Sequence, residues 1–179
     1  MKIISLILTG MIVLPSLAYA ADGTITITGK VLDNTCTIGG TSPGNYTVKL
    51  PTVIKSAFTA INTTAGEKDF QIELTNCPSP ANISVFFEST NTNVDTAGRL
   101  NNTATGGSTA QVELVNGTER INLKGTTLSA QSTTALTFNS SSSTTNSHTF
   151  PLKARYYALT YPVTVGDVAT SITYNIVYD

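Results

Sequence analysis

Apolar residues in this chain recur at every second position, and this period of two restricts the fold to one built from β-strands. The clearest instance stands at the C-terminus, where Ile172, Tyr174, Ile176 and Tyr178 alternate with other residues. Alternation places these four side chains on one face of a strand, and that face requires an apolar cover. Because the sequence ends directly after this strand, at Asp179, we expect no later segment to pair with it.

Eight further segments alternate in the same way and predict eight further strands. Their apolar positions are Ile25, Ile27 and Val31; Tyr46, Val48 and Leu50; Phe70, Ile72 and Leu74; Ile83, Val85 and Phe87; Val112 and Leu114; Ile121 and Leu123; Leu136 and Phe138; and Phe150, Leu152, Ala154 and Tyr156. Asn116-Gly117 between two of them is a strong hairpin signal. One short helical turn is predicted at residues 56–60. Many short strands in one domain predict an antiparallel β-sandwich of immunoglobulin-like type.

The first twenty residues have the features of a secretory signal peptide. Lys2 supplies a positive charge, residues 3–14 form a short apolar run, and residues 18–20 form a small-x-small cleavage site. A retained membrane anchor is the disfavoured alternative, because the run is short and Pro15 interrupts it. We therefore expect cleavage after residue 20 and export of the remainder, in which no segment is apolar enough to cross a bilayer.

The charge content excludes several classes of partner. Only 12% of the residues are charged and the net charge is −1, so the chain offers no basic surface for nucleic acid and no polybasic patch for a membrane. A low net charge also gives little protection against association. That property is harmful in a monomer and harmless in a molecule that assembles.

Two cysteines, Cys36 and Cys77, occur in a chain that carries an export signal. An even number of cysteines in an oxidising compartment predicts one disulfide bond. A redox or metal-binding pair is the disfavoured alternative, because no further cysteine and no nearby histidine supports it.

Catalysis finds little support in the sequence. The single histidine, His148, lies in a polar run and is predicted to be a solvated surface residue. The acidic residues are dispersed, and no motif for a nucleophile, a phosphate or calcium is present. We predict no catalytic residues, no metal and no cofactor.

Four segments together resemble the subunits of type 1 fimbriae, the chaperone–usher pili. Residues 21–38 read ADGTITITGKVLDNTCTI and are similar to the mature N-terminus of such subunits. Residues 72–78, IELTNCP, resemble the stretch around their second cysteine, and residues 150–155, FPLKAR, resemble their penultimate strand. Gly166 and Tyr178 match their C-terminal signature, so the matches extend over essentially the whole mature chain.

This resemblance implies an incomplete immunoglobulin-like sandwich that lacks its last strand and is completed by a donor strand from another molecule. The implied organisation is a signal peptide at residues 1–20, a donor-strand extension at residues 21–31 and a pilin domain at residues 32–179. A periplasmic chaperone first lends a strand to the open groove. The extension of the next subunit then replaces that strand at the outer-membrane usher, by β-strand addition.

The resemblance also assigns roles to individual residues. Ile25, Ile27 and Val31 would insert into a neighbour's groove, and Gly29 matches a family glycine whose missing side chain relaxes the fit. The resemblance further implies that basic residues of the chaperone hold the Asp179 carboxylate. The acceptor groove would be lined by Gly166, Ile172, Tyr174, Ile176 and Tyr178.

The sequence therefore predicts a non-enzymatic structural subunit of a bacterial fimbria that supports cell adhesion. Its predicted partners are the chaperone, the usher and neighbouring subunits, and its predicted location is the cell surface. Only residues 21–35 precede Cys36 in the mature chain, so assignment as a major rod or a minor tip subunit stays open. The alternative function is a single-domain fimbrial adhesin that binds a host glycan or protein directly. For a secreted hydrolase, we find no suitable residues.

Overall fold

The structure is a computed structural model that describes residues 24–40, 44–134, 136–142 and 144–179. The chain divides into two units, Met1–Lys30 and Val31–Asp179. In the first unit, residues 24–30 form no strand, and Ile25 and Ile27 are 89% and 88% exposed. The predicted signal peptide and residues 21–23 of the predicted extension lie outside the described residues.

The second unit is built from two antiparallel sheets. The larger sheet has the strand order β1-β2-β7-β4-β5, and the smaller one has the order β6-β3-β8. The strands are β1 (Thr37–Ile38), β2 (Thr64–Thr75), β3 (Asn82–Phe87), β4 (Gln111–Asn116), β5 (Glu119–Arg120), β6 (Thr137–Asn139), β7 (His148–Tyr157) and β8 (Tyr174–Tyr178). The helices are α1 (Leu128–Gln131) and two single 3-10 turns, Lys55–Ala57 and Ser140–Ser142. The arrangement confirms the predicted antiparallel β-sandwich.

The core lies between the two sheets, which present alternate apolar side chains to each other. In the larger sheet, Ile72 of β2 is opposite Phe150 of β7. In the smaller sheet, Val85 of β3 is opposite Ile176 of β8. Full burial of such a side chain stabilises the fold by about 1.5–3 kcal/mol. The apolar side chains of the facing sheet thus cover the apolar face of the C-terminal strand.

The two ends of the larger sheet differ in the residues that lie beside them. At one end, Leu74 is opposite His148, and the Cys36–Cys77 disulfide lies beside this end with a Cα–Cα distance of 4.1 Å. At the other end, Tyr157 pairs with Thr64 on β2. We call these the disulfide end and the far end. The predicted disulfide is confirmed.

Several local predictions differ from the structure. Ile121 and Leu123 were predicted to form a strand, but they are fully buried residues that follow the two-residue strand β5. The segment around Val48 forms no strand, although its side chains alternate between half-buried and exposed. The β4–β5 hairpin is confirmed, with Gly117 at a φ of 61° in its turn. No helix among the described residues is long and apolar enough to cross a membrane.

Candidate functional site: a cleft beside the C-terminal strand

An apolar cleft of about 1270 Å³ opens in the second unit between two extended segments. One wall is formed by residues within 44–53, and the other by residues 163–174. The floor belongs to the core itself and includes Ile72, Leu100 and Leu114. The cleft therefore gives access to the interior of the sandwich.

Both walls carry side chains that reach the core from segments without strand pairing. On the first wall, Tyr46, Val48 and Leu50 are half-buried and pack against the core. On the second wall, Val168 and Ile172 do the same, and β8 begins two residues later. Each wall thus has the side-chain pattern of a strand but lacks a continuous ladder on its cleft side.

The backbone of the second wall forms hydrogen bonds along one of its edges. The carbonyls of Asp167, Ala169 and Thr173 accept hydrogen bonds from backbone amides of residues 108, 103 and 88, at 2.8–3.0 Å. Alternate carbonyls that point to the same side are the arrangement of an extended strand, so the intervening residues direct their backbone groups to the opposite edge. β8, which continues this wall, is an edge strand of the smaller sheet, and β3 is its one strand partner in the part of the chain described. Within the described residues, the edge of β8 that faces away from β3 therefore has no strand partner.

Asn102 holds the second wall in place, although no sequence motif marks it as a site residue. Its side-chain amide donates to the carbonyls of Ser108 and Asp167, at 2.7 and 2.8 Å. Its side-chain oxygen accepts from the amides of Ala104 and Ala169, at 3.0 and 2.9 Å. The one available signal was the Asn101-Asn102 pair, which by itself indicates only a turn.

Gly166 lies on the cleft wall where the chain passes very close to a neighbouring loop. Its φ of 144° is a conformation that side chains rarely adopt. A Cβ atom at this position would lie 2.8 Å from the carbonyl carbon of Gly107 and from the amide nitrogen of Ser108. Backbone atoms cannot move aside as a flexible side chain can, so the position requires glycine.

Two tyrosines of β8 fasten this strand to the N-terminal part of the unit. The hydroxyl of Tyr174 donates to the carbonyl of Gly44 at 2.7 Å, which joins the two cleft walls. Burial, together with the nearby Tyr46 hydroxyl, raises the pKa of Tyr174 and keeps it neutral. The hydroxyl of Tyr178 accepts from the backbone amide of Cys36 at 2.9 Å.

The structure therefore brings only part of the predicted acceptor set to the cleft. Gly166, Ile172 and Tyr174 line it. Ile176 and Tyr178 lie further along β8 and pack against the core. Sequence alternation placed all four apolar residues on one face, but it could not indicate where along that face the cleft ends.

The remaining predicted site residues are exposed. Val31 is 97% exposed, as are Ile25 and Ile27 to nearly the same degree, and a Cβ atom on Gly29 would meet nothing within 4 Å. Asp179 exchanges two backbone hydrogen bonds of 2.9 Å with Asn82, which fixes the end of β8. Its side chain is exposed.

His148 is not the solvated surface residue that the sequence predicts. Its ring stacks on Phe138 with centroids 4.6 Å apart and meets the edge of Phe150 at 4.7 Å. Burial lowers the pKa of His148, so the neutral ring is favoured in this aromatic cluster. Among the residues described, no group of three His, Cys, Asp or Glu side chains could hold a metal ion.

Comparison with known proteins identifies the family. The model of the family described as "Fimbrial protein" matches residues 25–179. The major fimbrial subunit SMF-1 of Stenotrophomonas maltophilia (strain K279a) is 36% identical over 170 residues, covering 92% of this chain and 97% of that protein. The F17 fimbrial protein of Escherichia coli is 38% identical over 172 residues, covering 91% of each. The P pilus rod subunit PapA has a similar fold, with a TM-score of 0.57 at 15% identity over 82% of this chain and 100% of that one.

These observations define the class of protein. It is an immunoglobulin-like sandwich with an open apolar cleft beside its C-terminal strand. The chain belongs to the fimbrial protein family. It is a structural subunit of a surface fimbrium and associates with other pilus subunits. The family and the fold predicted from the sequence are confirmed.

Proposed function

We propose that the subunit polymerises by strand addition, in which residues 21–31 of one copy fill the cleft of the next. The observation that carries the proposal is the open edge of the 163–178 segment beside an apolar cleft that reaches the core. A strand inserted there would pair with this edge and cover the half-buried side chains of both walls. Main-chain hydrogen bonds would supply affinity, and alternate side chains would set the register.

The donor segment has the composition that such a cleft requires. Ile25, Ile27 and Val31 are exposed apolar residues, and two of the four intervening positions are threonine. Residues 21–31 and the wall at residues 168–178 each have eleven residues, so the donor segment and the wall match in number of residues. Gly29 adds no side chain, which leaves room at one position along the cleft.

The terms that favour insertion of the donor strand and the term that opposes it are similar in size, so durability of the fibre depends on slow release of the strand. Each large aliphatic side chain that becomes buried contributes about 1.5–3 kcal/mol. Each added backbone hydrogen bond contributes about 0.5–1.5 kcal/mol, while ordering of the donor opposes binding by about 1–2 kcal/mol per residue. Because the inserted strand would complete the core, its release requires partial unfolding and is therefore slow.

We further propose that the subunit reaches the surface through the periplasm after removal of residues 1–20. An unfilled apolar cleft promotes aggregation, so a periplasmic chaperone must cover it before assembly, and an outer-membrane usher must catalyse the exchange. The exposed Asp179 is the residue that basic residues of the chaperone would hold. Ile176 and Tyr178 complete the acceptor by holding β8 against the core.

The test compares two adjacent donor substitutions in cells that express the chain with its chaperone and usher. Ile27→Asp places a charge on the apolar face of the donor, whereas the matched control Thr26→Asp places the same charge on the opposite face. We expect Ile27→Asp to abolish the SDS-resistant ladder of polymers while chaperone capture persists, and Thr26→Asp to keep the ladder. Equal ladders from both variants would contradict the donor role.

A complementary test separates the acceptor from the donor. Gly166→Ala forces a Cβ atom against the Gly107–Ser108 backbone and displaces the cleft wall. We therefore expect this variant to lose chaperone capture, which is measured by co-purification, whereas Ile27→Asp retains it. Normal capture of the folded Gly166→Ala variant would argue against the cleft as the acceptor.

A further inference from the structure

The exposed large apolar side chains of the described residues fall into two groups. Three of them belong to the donor segment. The other five are Ile54, Ile61, Leu159, Tyr161 and Val165. Exposed apolar residues that gather at one place on a surface commonly indicate an interaction site, whereas single ones do not.

These five residues lie close in the sequence to the members of a second, smaller core at the far end of the sandwich. That core is formed by Phe58, Ala110, Ala158 and Val163. Each of the five lies within three residues of one of its members or of Val53, which packs against it. Backbone hydrogen bonds of Ala158 with residues 62 and 63, of 2.8 and 2.9 Å, bring the segments of Ile61 and Leu159 together. We call the five residues the far-end patch.

The far-end patch is continuous with the cleft. Val165 belongs to both, and Val163 and Phe58 of the small core also line the cleft. From Val163 the wall runs toward Tyr178, whose hydroxyl binds the Cys36 amide at the disulfide end. The cleft therefore begins at the far-end patch and extends toward the disulfide end.

The direction of an inserted strand determines which part of the next copy arrives at the patch. Every ladder among the described strands is antiparallel, and antiparallel pairing is the slightly more stable kind. A donor that runs antiparallel to residues 168–178 has Val31 at the far end. Five residue steps separate Val31 from Cys36, a reach of at most roughly 18 Å. The disulfide end of the donating copy must then lie close to the patch.

We propose that the far-end patch is the docking surface for the disulfide end of a second copy of this chain, an inference that rests on the strand addition proposed above. The contact is head-to-tail, because the far end of one copy meets the disulfide end of the next. Such heterologous contacts extend into open fibres instead of closing into dimers. The patch thereby fixes the orientation of successive subunits, which an inserted strand alone leaves adjustable about its connector.

Site-specific photo-crosslinking in assembled fibres tests this contact. The full chain is expressed with its chaperone and usher and carries p-benzoylphenylalanine in place of Tyr161. The matched control carries it in place of Asp69, an exposed residue in the middle of β2. After irradiation and boiling in SDS, we expect a covalent dimer from the first variant alone, with the attachment point within residues 31–38 or 75–78 of the second copy.

The outcomes distinguish this inference from the function on which it rests. An SDS-resistant ladder without a dimer crosslink at position 161 overturns the patch contact and leaves strand addition intact. Crosslinks from position 161 to the chaperone alone, or to other parts of the second copy, overturn it as well. Absence of the ladder from the unmodified chain overturns strand addition, and the patch contact with it. A Leu159→Ser and Tyr161→Ser double variant, which leaves the cleft unchanged, is expected to keep the ladder but lose the regular subunit spacing of fibres in electron micrographs.

Discussion

At the scale of single residues, one polar constraint lies outside the cleft, at a buried carboxylate. Glu113 of β4 is 2% exposed. Its two oxygens bind Arg99 Nε at 3.0 Å and Arg155 Nη2 at 2.7 Å, and Arg99 also lies 3.7 Å from the centre of the Tyr157 ring. A charge that is removed from water in this way is tolerated only with such complete pairing. The cluster ties the loop that precedes β4 to β7.

Replacement of this carboxylate should be costly. Glu113→Gln leaves two arginines without their common counter-charge, so we expect the free energy of unfolding to fall by about 3–5 kcal/mol. Glu67→Gln is the matched control, because Glu67 pairs with Lys153 and Arg155 at the exposed surface and should cost less than about 1 kcal/mol. Urea denaturation of both variants measures the difference. Similar losses for the two would show that burial of Glu113 has no special energetic role.

A second residue-scale prediction concerns the pH dependence of the loop after α1. Hydrogen bonds from the backbone amides of Thr133 and Thr134 lower the pKa of Glu119 from 4.5 to about 2. Because the folded-state pKa is depressed, the stabilisation is complete above about pH 4.5 and is lost as the pH falls through 2. We expect the NMR amide shifts of Thr133 and Thr134 to titrate with a midpoint near 2 and to be flat in Glu119→Gln. A midpoint near 4.5 would contradict the proposed hydrogen bonds.

At the scale of elements, a strand predicted from period-two alternation forms only where a neighbouring segment makes hydrogen bonds with its backbone. Phe150 and Leu152 alternate, lie between β2 and β4, and form the strand that was predicted. Tyr46 and Val48 alternate equally well but belong to no strand among the described residues. A side-chain pattern reports which face is buried, whereas a strand also requires hydrogen bonds that the pattern does not encode.

Elements that depend on tertiary contacts could not be predicted from the sequence. α1 has only four residues, and Thr127 caps it by accepting a hydrogen bond from the Ala130 amide. Its buried Gln131 accepts from the amide of Phe87 and donates to its carbonyl, which attaches α1 to β3. For the cleft, the family pattern predicts Gly166, whereas Asn102 is marked only by a turn signal, because two of its partners, Asp167 and Ala169, lie far away in the sequence.

A pair of glycine substitutions tests how the cleft wall is held. Gly166→Ala introduces a contact of 2.8 Å with backbone atoms and a φ that alanine rarely adopts. We expect its free energy of unfolding to fall by about 1–3 kcal/mol. Gly29→Ala is the matched control, because its Cβ atom meets nothing within 4 Å, and its stability should equal that of the unaltered chain. Equal stability of both variants would indicate that the wall is free to move.

At the scale of the whole molecule, a low net charge and an incompletely covered core both favour association between copies. The net charge of −1 gives little electrostatic repulsion between copies. The cleft exposes part of the core, and the far-end patch adds a second apolar surface. Exposed apolar surfaces of this kind favour association with a partner. In the proposed head-to-tail fibre both surfaces would be covered, and the inserted strand would complete the fold.

The proposed strand addition predicts that a peptide can supply the donor strand. Purified full chain carrying Ile27→Asp, whose own donor segment is disabled, should gain thermal stability from a peptide of residues 21–31. A ligand that binds only the folded state stabilises it by about 2.7 kcal/mol at one hundred times its Kd, so the rise in Tm should depend on peptide concentration. A peptide with Thr26→Asp should act similarly and one with Ile27→Asp should not, because only the second charge enters the cleft. Differential scanning calorimetry measures the shift, and an equal rise with both altered peptides would show that insertion of alternate side chains is not the source of the stabilisation.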